Sequence, residues 1–245
     1  DEPLGTIGTT RAETGHPVGQ IFGYVHDRLF TEDDFKDVEN GVLKDGVPKQ
    51  TFTAKVRPGD IKYVDLDKNG FIDTYDQMAI GGTENPEIVY GFGVNLRWKE
   101  LDFGAMFQGI GRTWRILSSN IMPASNKGSM YNIFDNYQDR WTVDNQSQDV
   151  FYPRADYGPN ANNSQKSTWW LRNMSFLRLK NLELGYSCPK KWLQGFVISN
   201  ARVFVRGTNL LTFSKFNLWD PELATGDGAK YPAMKSVSVG FDITF

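Results

Sequence analysis

The chain has 245 residues, with 27 basic and 29 acidic side chains and a net charge of -2. This balance lacks the basic surface that binds phosphate, so we expect no nucleic-acid partner. The single cysteine, Cys188, excludes an internal disulfide, and two histidines leave little room for a histidine-based metal or catalytic site. We expect His16 and His26 to be exposed or hydrogen-bonded.

No run of about 18 apolar residues is present, so the sequence predicts no transmembrane helix. Transmembrane β-strands stay compatible with the composition, because they alternate apolar and polar side chains. The 14% aromatic content suits the aromatic girdles of such proteins. The opening residues carry no signal peptide, as expected of a mature protein or an internal fragment.

Six segments read as strands in chain order. The first candidate spans residues 17–26, although Ile21 and Phe22 break its alternation. The clearest runs from Val89 to Trp98, and its return strand from Leu101 follows the two-residue turn Lys99-Glu100. Their apolar side chains share one face: Tyr90, Phe92, Val94, Leu96, Trp98, Leu101, Phe103, Ala105 and Phe107. Strict alternation with a tight turn predicts a β-hairpin.

Three further strands follow a long polar stretch at 111–173. The segment 175–186 shifts its apolar parity, which predicts a β-bulge near Lys180-Asn181. Strands at 201–211 and 235–245 complete the set. The predicted connections alternate long and short: 27–87, 99–100, 112–173, 188–199 and 213–234.

This alternation is typical of outer-membrane barrels, which pair short periplasmic turns with long extracellular loops. The predicted fold is all-β, with antiparallel transmembrane β-barrel strands that form part of a large barrel. In this arrangement Phe245 lies on the periplasmic side. We expect Tyr90, Phe92, Leu96 and Phe103 to face lipid, and Asn95, Arg97 and Gln108 to face the lumen.

Residues 65–76 form the strongest local motif. They fit the twelve-residue EF-hand loop, in which oxygens at alternate positions converge on a cation and Gly70 permits the sharp turn. The expected ligands are the side chains of Asp65, Asp67, Asn69, Asp73 and Asp76 and the carbonyl of Phe71. Calcium is preferred, and magnesium stays open because Asp76 replaces the usual Glu. The alternative is a solvated turn without an ion.

Two other groups of residues are candidates for binding roles. Trp141, Trp169 and Trp170 could stack on sugar rings, but an aromatic belt or loop packing is the preferred interpretation. The acidic segment 31–39 is expected to be a solvated loop or helical turn. No nucleophile motif, phosphate loop or spaced acid–base pair is present, so we predict a non-enzyme.

Several segments, taken in order, resemble the C-terminal portion of the TonB-linked SusC/RagA transporters. They include PGDIKYVD at 58–65, YGF at 90–92, SFLRLKNLELGY at 175–186, RVFV at 202–205, TNLLT at 208–212, DPE at 220–222 and GFDITF at 240–245. The resemblance covers about residues 15–245. The family's plug, its TonB-contact segment and most of its strands are absent, so the chain resembles a fragment or one piece of a split importer.

The resemblance implies outer-membrane import of an oligosaccharide or peptide. It also implies energy from the TonB complex through the missing N-terminal part, a SusD-like surface lipoprotein, and an assembly signal in the strand ending at Phe245. A plain closing strand would need the same alternation. The main rival is a secreted calcium-stabilised β-module that binds carbohydrate, and a glycoside hydrolase ranks third.

Overall fold

The computed structural model describes residues 5–118, 134–156, 158 and 160–245. Part of the predicted loop 112–173 therefore lies outside the described residues. The chain divides into two compact units. We call residues 1–84 and 114–172 the loop unit, and residues 85–113 and 173–245 the sheet unit.

The sheet unit is built on one five-stranded antiparallel sheet. Its strands are β9 (Ile88–Trp98), β10 (Leu101–Gly111), β13 (Phe176–Ser187), β14 (Asn200–Ser214) and β15 (Ser236–Thr244). Their order is β15-β14-β13-β10-β9, so β15 and β9 are the edges. The strands contain 9 to 15 residues. A tilted strand needs about 9–11 residues to cross a bilayer, so all five are long enough.

The two faces of this sheet differ as the alternation predicts. Apolar side chains stay exposed on one face, including Phe92 at 52% and Leu96 at 61%. The same face continues through Val203, Val205, Val237, Val239 and Phe241, which are all exposed. The opposite face carries Asn95, Arg97 and Asp102 with several glycines. No second layer within the described residues buries the apolar face, which excludes a closed sandwich for this part of the chain.

Two local predictions about the sheet are confirmed. Trp98 pairs with Leu101 across the two-residue turn, in which Lys99 adopts a φ of 54°. Against β10, Leu179 and Asn181 pair with the adjacent residues Phe107 and Met106, so Lys180 is the extra residue of a bulge. The bulge explains the parity shift, because one extra residue moves the following side chains to the other face.

The loop unit consists of short strands and turns. Its strands are β1 (Gln20–Tyr24), β2 (His26–Leu29), β3 (Phe35–Asp37), β4 (Val42–Leu43), β5 (Lys49–Gln50), β6 (Ile61–Tyr63), β7 (Phe71–Ile72), β8 (Gln77–Thr83) and β11 (Trp114–Ile116), while β12 (Leu171–Asn173) ends at its boundary. The chain's described 3-10 helices are Glu32–Asp34, Thr74–Asp76, Asp135–Gln138, Lys190–Trp192 and Pro221–Leu223. None of the described helices is long and apolar enough to cross a membrane.

The prediction that residues 17–26, the first of the six candidate segments, form a long strand beside the other five is wrong. The segment forms β1, which pairs with β8, and β2, which pairs with β6, and neither joins the five-stranded sheet. Ile21 and Tyr24 are both buried, although they have opposite parity along the chain. A strand that is buried on both faces does not need alternating apolar and polar residues. The broken alternation at Ile21 and Phe22 therefore indicated a strand in the interior of a folded unit.

Aromatic side chains form much of the interior of the loop unit. Tyr24, Phe30, Tyr63, Tyr152 and Trp170 are each at most 2% exposed. Tyr24 and Tyr63 lie with ring centroids 5.5 Å apart, and Phe30 packs on Phe35 at 5.7 Å. Such pairs add to the free energy gained by burying their area. The two long connections thus fold around a core of their own.

Candidate functional site

Charged side chains on the polar face of the sheet form one connected network. Arg202 pairs with Asp102 and with Glu183, the latter at 2.6 Å, and Arg206 also pairs with Glu183 at 2.6 Å. Gly185 lies beneath this network, because a Cβ at that position would meet Arg202 and Asp102. Paired charges of both signs on one face are compatible with a water-filled lumen.

Beside the network, three glycines open a trough in the same face. Gly91, Gly93 and Gly104 leave the backbone uncovered, and the resulting cavity measures about 780 Å³. Asn95 and Arg97 line it with Asp102 and Glu183. The sheet therefore offers a concave surface that carries charged and amide side chains on the side opposite its apolar face.

The predicted cation loop brings three carboxylates together. Oxygens of Asp65, Asp67 and Asp76 all lie within 4.8 Å of one another. The Gly70 N–H donates to Asp65 Oδ2 at 2.8 Å, and Gly70 has a φ of 87°, which favours glycine. The buried Oδ1 of Asp65 accepts no hydrogen bond from the described residues. A buried carboxylate oxygen without a donor fits a site for a cation.

Asp76 is the most deeply buried member of this cluster. Its side chain is fully covered and accepts hydrogen bonds from the Leu66 N–H at 2.7 Å and the Asp73 N–H at 2.9 Å. Burial raises the pKa of the Asp76 carboxyl, although these backbone donors oppose the shift and the nearby Asp67 adds to it. A divalent cation would relieve this cost of holding the charge.

The remaining predicted ligands make other contacts. Asp73 Oδ1 accepts from the Tyr75 N–H at 2.7 Å, which caps the 3-10 helix Thr74–Asp76. Asn69 Oδ1 accepts from the Phe71 N–H at 2.7 Å, and Phe71 lies in β7 with its side chain half exposed. Their role as ligands stays a prediction.

The tryptophans belong to the interior of the loop unit. Trp141, Trp169 and Trp170 are 6%, 8% and 1% exposed, which supports loop packing over sugar stacking or an aromatic belt. The indole of Trp170 donates to the Asn163 carbonyl at 2.7 Å. His26 is hydrogen-bonded to Thr168 Oγ1 at 2.6 Å and His16 is exposed, as predicted.

The acidic segment 31–39 needs one correction. Its helical turn is present at Glu32–Asp34, but Asp34 is buried at 4% exposure instead of solvated. Arg28 contacts it through both carboxylate oxygens at 2.7 Å, and Lys62 contacts it at 3.2 Å. The local pattern of residues 31–39 cannot show that Asp34 is buried and paired, because its partner Lys62 is distant in sequence.

A second buried network was missed by sequence reasoning. Asp60 is 1% exposed and accepts from Arg154, from Asn163 at 2.9 Å and from the Arg57 N–H at 2.8 Å. It joins Arg57 to Arg154 and Asn163 within the loop unit. The available signal was the asparagine-rich run at 160–163, because such side chains often satisfy buried backbone and carboxylate groups.

Comparisons with known proteins find relatives that align with nearly all of the chain. No protein-family model matches the chain. It is 32% identical to TonB-dependent receptor P26 of Formosa agariphila over 100% of this chain and 24% of that receptor. It is 24% identical to TonB-dependent receptor SusC of Bacteroides thetaiotaomicron over 81% of this chain and 19% of that receptor.

Among solved structures, the RagAB peptide importer in its 'open-open' state matches with a TM-score of 0.63 and 25% identity, over 92% of this chain and 22% of that chain. The 'closed-closed' state matches with a TM-score of 0.62 and 26% identity. The chain is similar to SusC over 81% of its length and to the RagAB importer structures over 92%. It spans about a quarter of the length of the curated relatives that it matches.

Several predictions are confirmed by this likeness. The SusC/RagA resemblance, the antiparallel all-β fold and the outer-membrane location all agree with TonB-dependent receptors as relatives. These relatives are receptors and an importer and not enzymes, in agreement with the expected absence of catalysis. Neither the secreted β-module nor the glycoside hydrolase gains support from them.

Proposed function

We propose that the whole protein imports a nutrient, an oligosaccharide or a peptide, across the outer membrane. The import is driven by the TonB complex and assisted by a SusD-like surface lipoprotein. Relatives named TonB-dependent receptor and a fold shared with a peptide importer support this function. This segment contributes wall strands and folded extracellular connections, and no covalent chemistry on the nutrient.

The observation that carries the proposal is the sheet with one apolar face and two open edges. Its strands are long enough to cross a bilayer, and the polar face holds the ion network. An unpaired edge in hydrocarbon is costly, since its backbone groups find no water. The edges of β9 and β15 therefore pair with further strands in a larger barrel, and the apolar face contacts outer-membrane lipid.

Strand connections orient the segment in the membrane. The turn 99–100 and the connection from Cys188 to Ser199 leave the sheet at one end, while residues 215–235 leave it at the other. Because outer-membrane barrels have short periplasmic turns, we assign the first end to the periplasm. The loop unit is then extracellular, and the strand ending at Phe245 can act as the assembly signal.

We also propose that the loop 65–76 holds one cation and thereby stiffens the extracellular connection. Asp65, Asp67 and Asp76 would hold it, with Asn69, Asp73 and the Phe71 carbonyl as the remaining ligands of the motif. Calcium fits better than magnesium because the donors are all protein oxygens in a flexible loop. The cation supplies positive charge to a buried cluster and takes no part in transport chemistry.

Uptake by cells tests the import function. Cells that express the whole protein with its lipoprotein should accumulate labelled oligopeptides or oligosaccharides. Deleting TonB should abolish accumulation, and deleting the lipoprotein should reduce it. Unchanged uptake without TonB would contradict the proposal. An unrelated small solute that enters through porins serves as the control for membrane integrity.

A further inference from the structure

One cavity in the loop unit is lined by three arginines. It measures about 440 Å³, within the usual range for small-ligand sites. Arg57, Arg140 and Arg154 contribute to its lining, and Glu32 is the single carboxylate there. This excess of positive charge stands out in a chain whose net charge is -2.

The three arginines are held in different ways. Arg154 is paired with Asp60 at 3.1 Å and with Asp156 at 2.8 Å, so its charge is compensated. Arg140 lies 4.7 Å from the Tyr137 ring centroid and donates to the Tyr137 carbonyl at 2.9 Å. Among the described residues, neither Arg140 nor Arg57 has an acidic partner within ion-pair distance. Two guanidinium groups are therefore available to an anion.

Four of the eight other lining residues are aliphatic, and Glu32, Trp141, Thr142 and Gln146 are the rest. Val38, Pro58, Val143 and Ala155 supply apolar surface next to the arginines. Trp141 also lines the cavity, but its ring packs closely over Gly59 and is only 6% exposed, so it offers little face to a sugar. Arginine recognises carboxylates through paired hydrogen bonds, and the aliphatic wall suits an apolar side chain beside that carboxylate.

We propose that this cavity binds the carboxyl end of a peptide whose last residue is apolar. Arg57 and Arg140 bind the carboxylate, and Arg154, whose charge Asp60 and Asp156 compensate, lines the cavity beside them. The inference rests on the proposed import function, and it narrows the nutrient to a peptide with a free carboxyl end. The cavity would then hold the peptide on the extracellular loop unit.

Direct binding to the whole protein in detergent tests the site. The probes are a tetrapeptide ending in valine with a free carboxyl group, the same peptide as its C-terminal amide, and trigalacturonic acid. The free acid should bind more tightly than the amide. Arg57→Gln and Arg140→Gln should each weaken binding of the acid by about tenfold to a hundredfold, the range expected for a lost hydrogen bond to a charged group. Both variants should leave amide binding unchanged.

Arg112→Gln is the matched control, because Arg112 is an exposed arginine of the sheet unit that pairs with Glu87. It should bind all probes as the parent protein does. Equal binding of acid and amide, or no effect of either pocket variant, would overturn the site. Trigalacturonic acid binding as tightly as the peptide would overturn the choice of a peptide. Intact peptide binding without cellular uptake would reject the import function and leave the site standing.

Discussion

The sheet unit and the loop unit satisfy their buried polar groups in different ways. In the sheet unit, backbone groups pair strand to strand over long ladders, and the apolar side chains stay exposed on one face. In the loop unit the strands are mostly two to five residues long, so few backbone groups find ladder partners. The buried carboxylates of Asp34 and Asp60 instead accept hydrogen bonds from the backbone N–H groups of Thr31 and Arg57.

This difference follows from the surroundings proposed for each unit. A membrane offers no water to backbone groups, so a long ladder is the stable solution there. An extracellular connection is surrounded by water and can fold around ion pairs and aromatic rings. The loop unit therefore depends on a few specific side chains, while the stability of the sheet is spread over many equivalent bonds.

The largest expected effect comes from removing the carboxylate of Asp60. Asp60→Ala removes the acceptor of the Asn163 side-chain amide and leaves Arg154 with Asp156 as its remaining carboxylate partner. Losing one partner of a buried ion pair costs about 3–5 kcal/mol. We expect the loop unit to open locally, seen as lost hydrogen-exchange protection at residues 57–63 with the sheet still protected.

Asp144→Ala is the control for this variant, because Asp144 is exposed in the same unit. It should leave protection unchanged. Equal hydrogen-exchange protection of the loop unit in both variants would contradict the proposal that this unit depends on the buried hydrogen bonds of Asp60.

The next effect tests the apolar face of the sheet. Val94 lies near the middle of β9 and is 45% exposed on that face. An arginine at the bilayer midplane costs about 2–4 kcal/mol on the lipid face of a barrel. Val94→Arg should lower the free energy of unfolding of the whole protein in lipid vesicles by that amount.

Asn95→Arg adds the same charge one residue further along, on the polar face. Urea titration of the two variants in the same vesicles compares them directly. A lumen-facing arginine should cost much less, so equal destabilisation would argue against opposite surroundings for the two faces.

How far the sequence predicted this structure differs between the two units. The hairpin at Lys99-Glu100 and the bulge at Lys180 were predictable, because strict alternation depends only on neighbours along the chain. The pairing of Asp34 with Lys62 was not, because it joins residues brought together by folding. The cation motif lies between these cases: spacing indicated six ligands, and the structure brings the carboxylates of Asp65, Asp67 and Asp76 together.

Calcium should stabilise the loop unit selectively. A ligand at 100 times its dissociation constant adds about 2.7 kcal/mol to the folded state. Calcium titration by isothermal calorimetry should show one site, and Asp67→Asn should weaken it at least about tenfold through the loss of one anionic ligand. Asp144→Asn is the control.

The pH dependence of calcium binding follows from Asp76. Its pKa in the folded protein lies above the ordinary value of 3.8, so protonation competes with the cation at higher pH than for an exposed aspartate. Calcium affinity should therefore fall as the solution is acidified. No heat of binding at neutral pH in the parent protein would contradict the cation site and favour a plain turn.

The smallest expected effect concerns Asp34, which carries a buried charge in the loop unit. Burial alone would raise the pKa of its carboxyl, but Arg28, the Thr31 N–H and Lys62 outweigh burial and hold the pKa well below its usual range. A depressed pKa in the folded state means that ionised Asp34 stabilises the fold above the unfolded pKa of about 3.9. This contribution is lost as the pH falls through the lower, folded pKa.

Asp34→Asn should cost about 2 kcal/mol at neutral pH, the range for hydrogen bonds to a charged group. The difference from the parent should shrink below pH 4, whereas Asp33→Asn, one residue earlier and exposed, should match the parent throughout. Denaturant unfolding of the loop unit, followed by tryptophan fluorescence at several pH values, measures both. A constant difference down to strongly acid pH would show that shape, and not charge, makes Asp34 important.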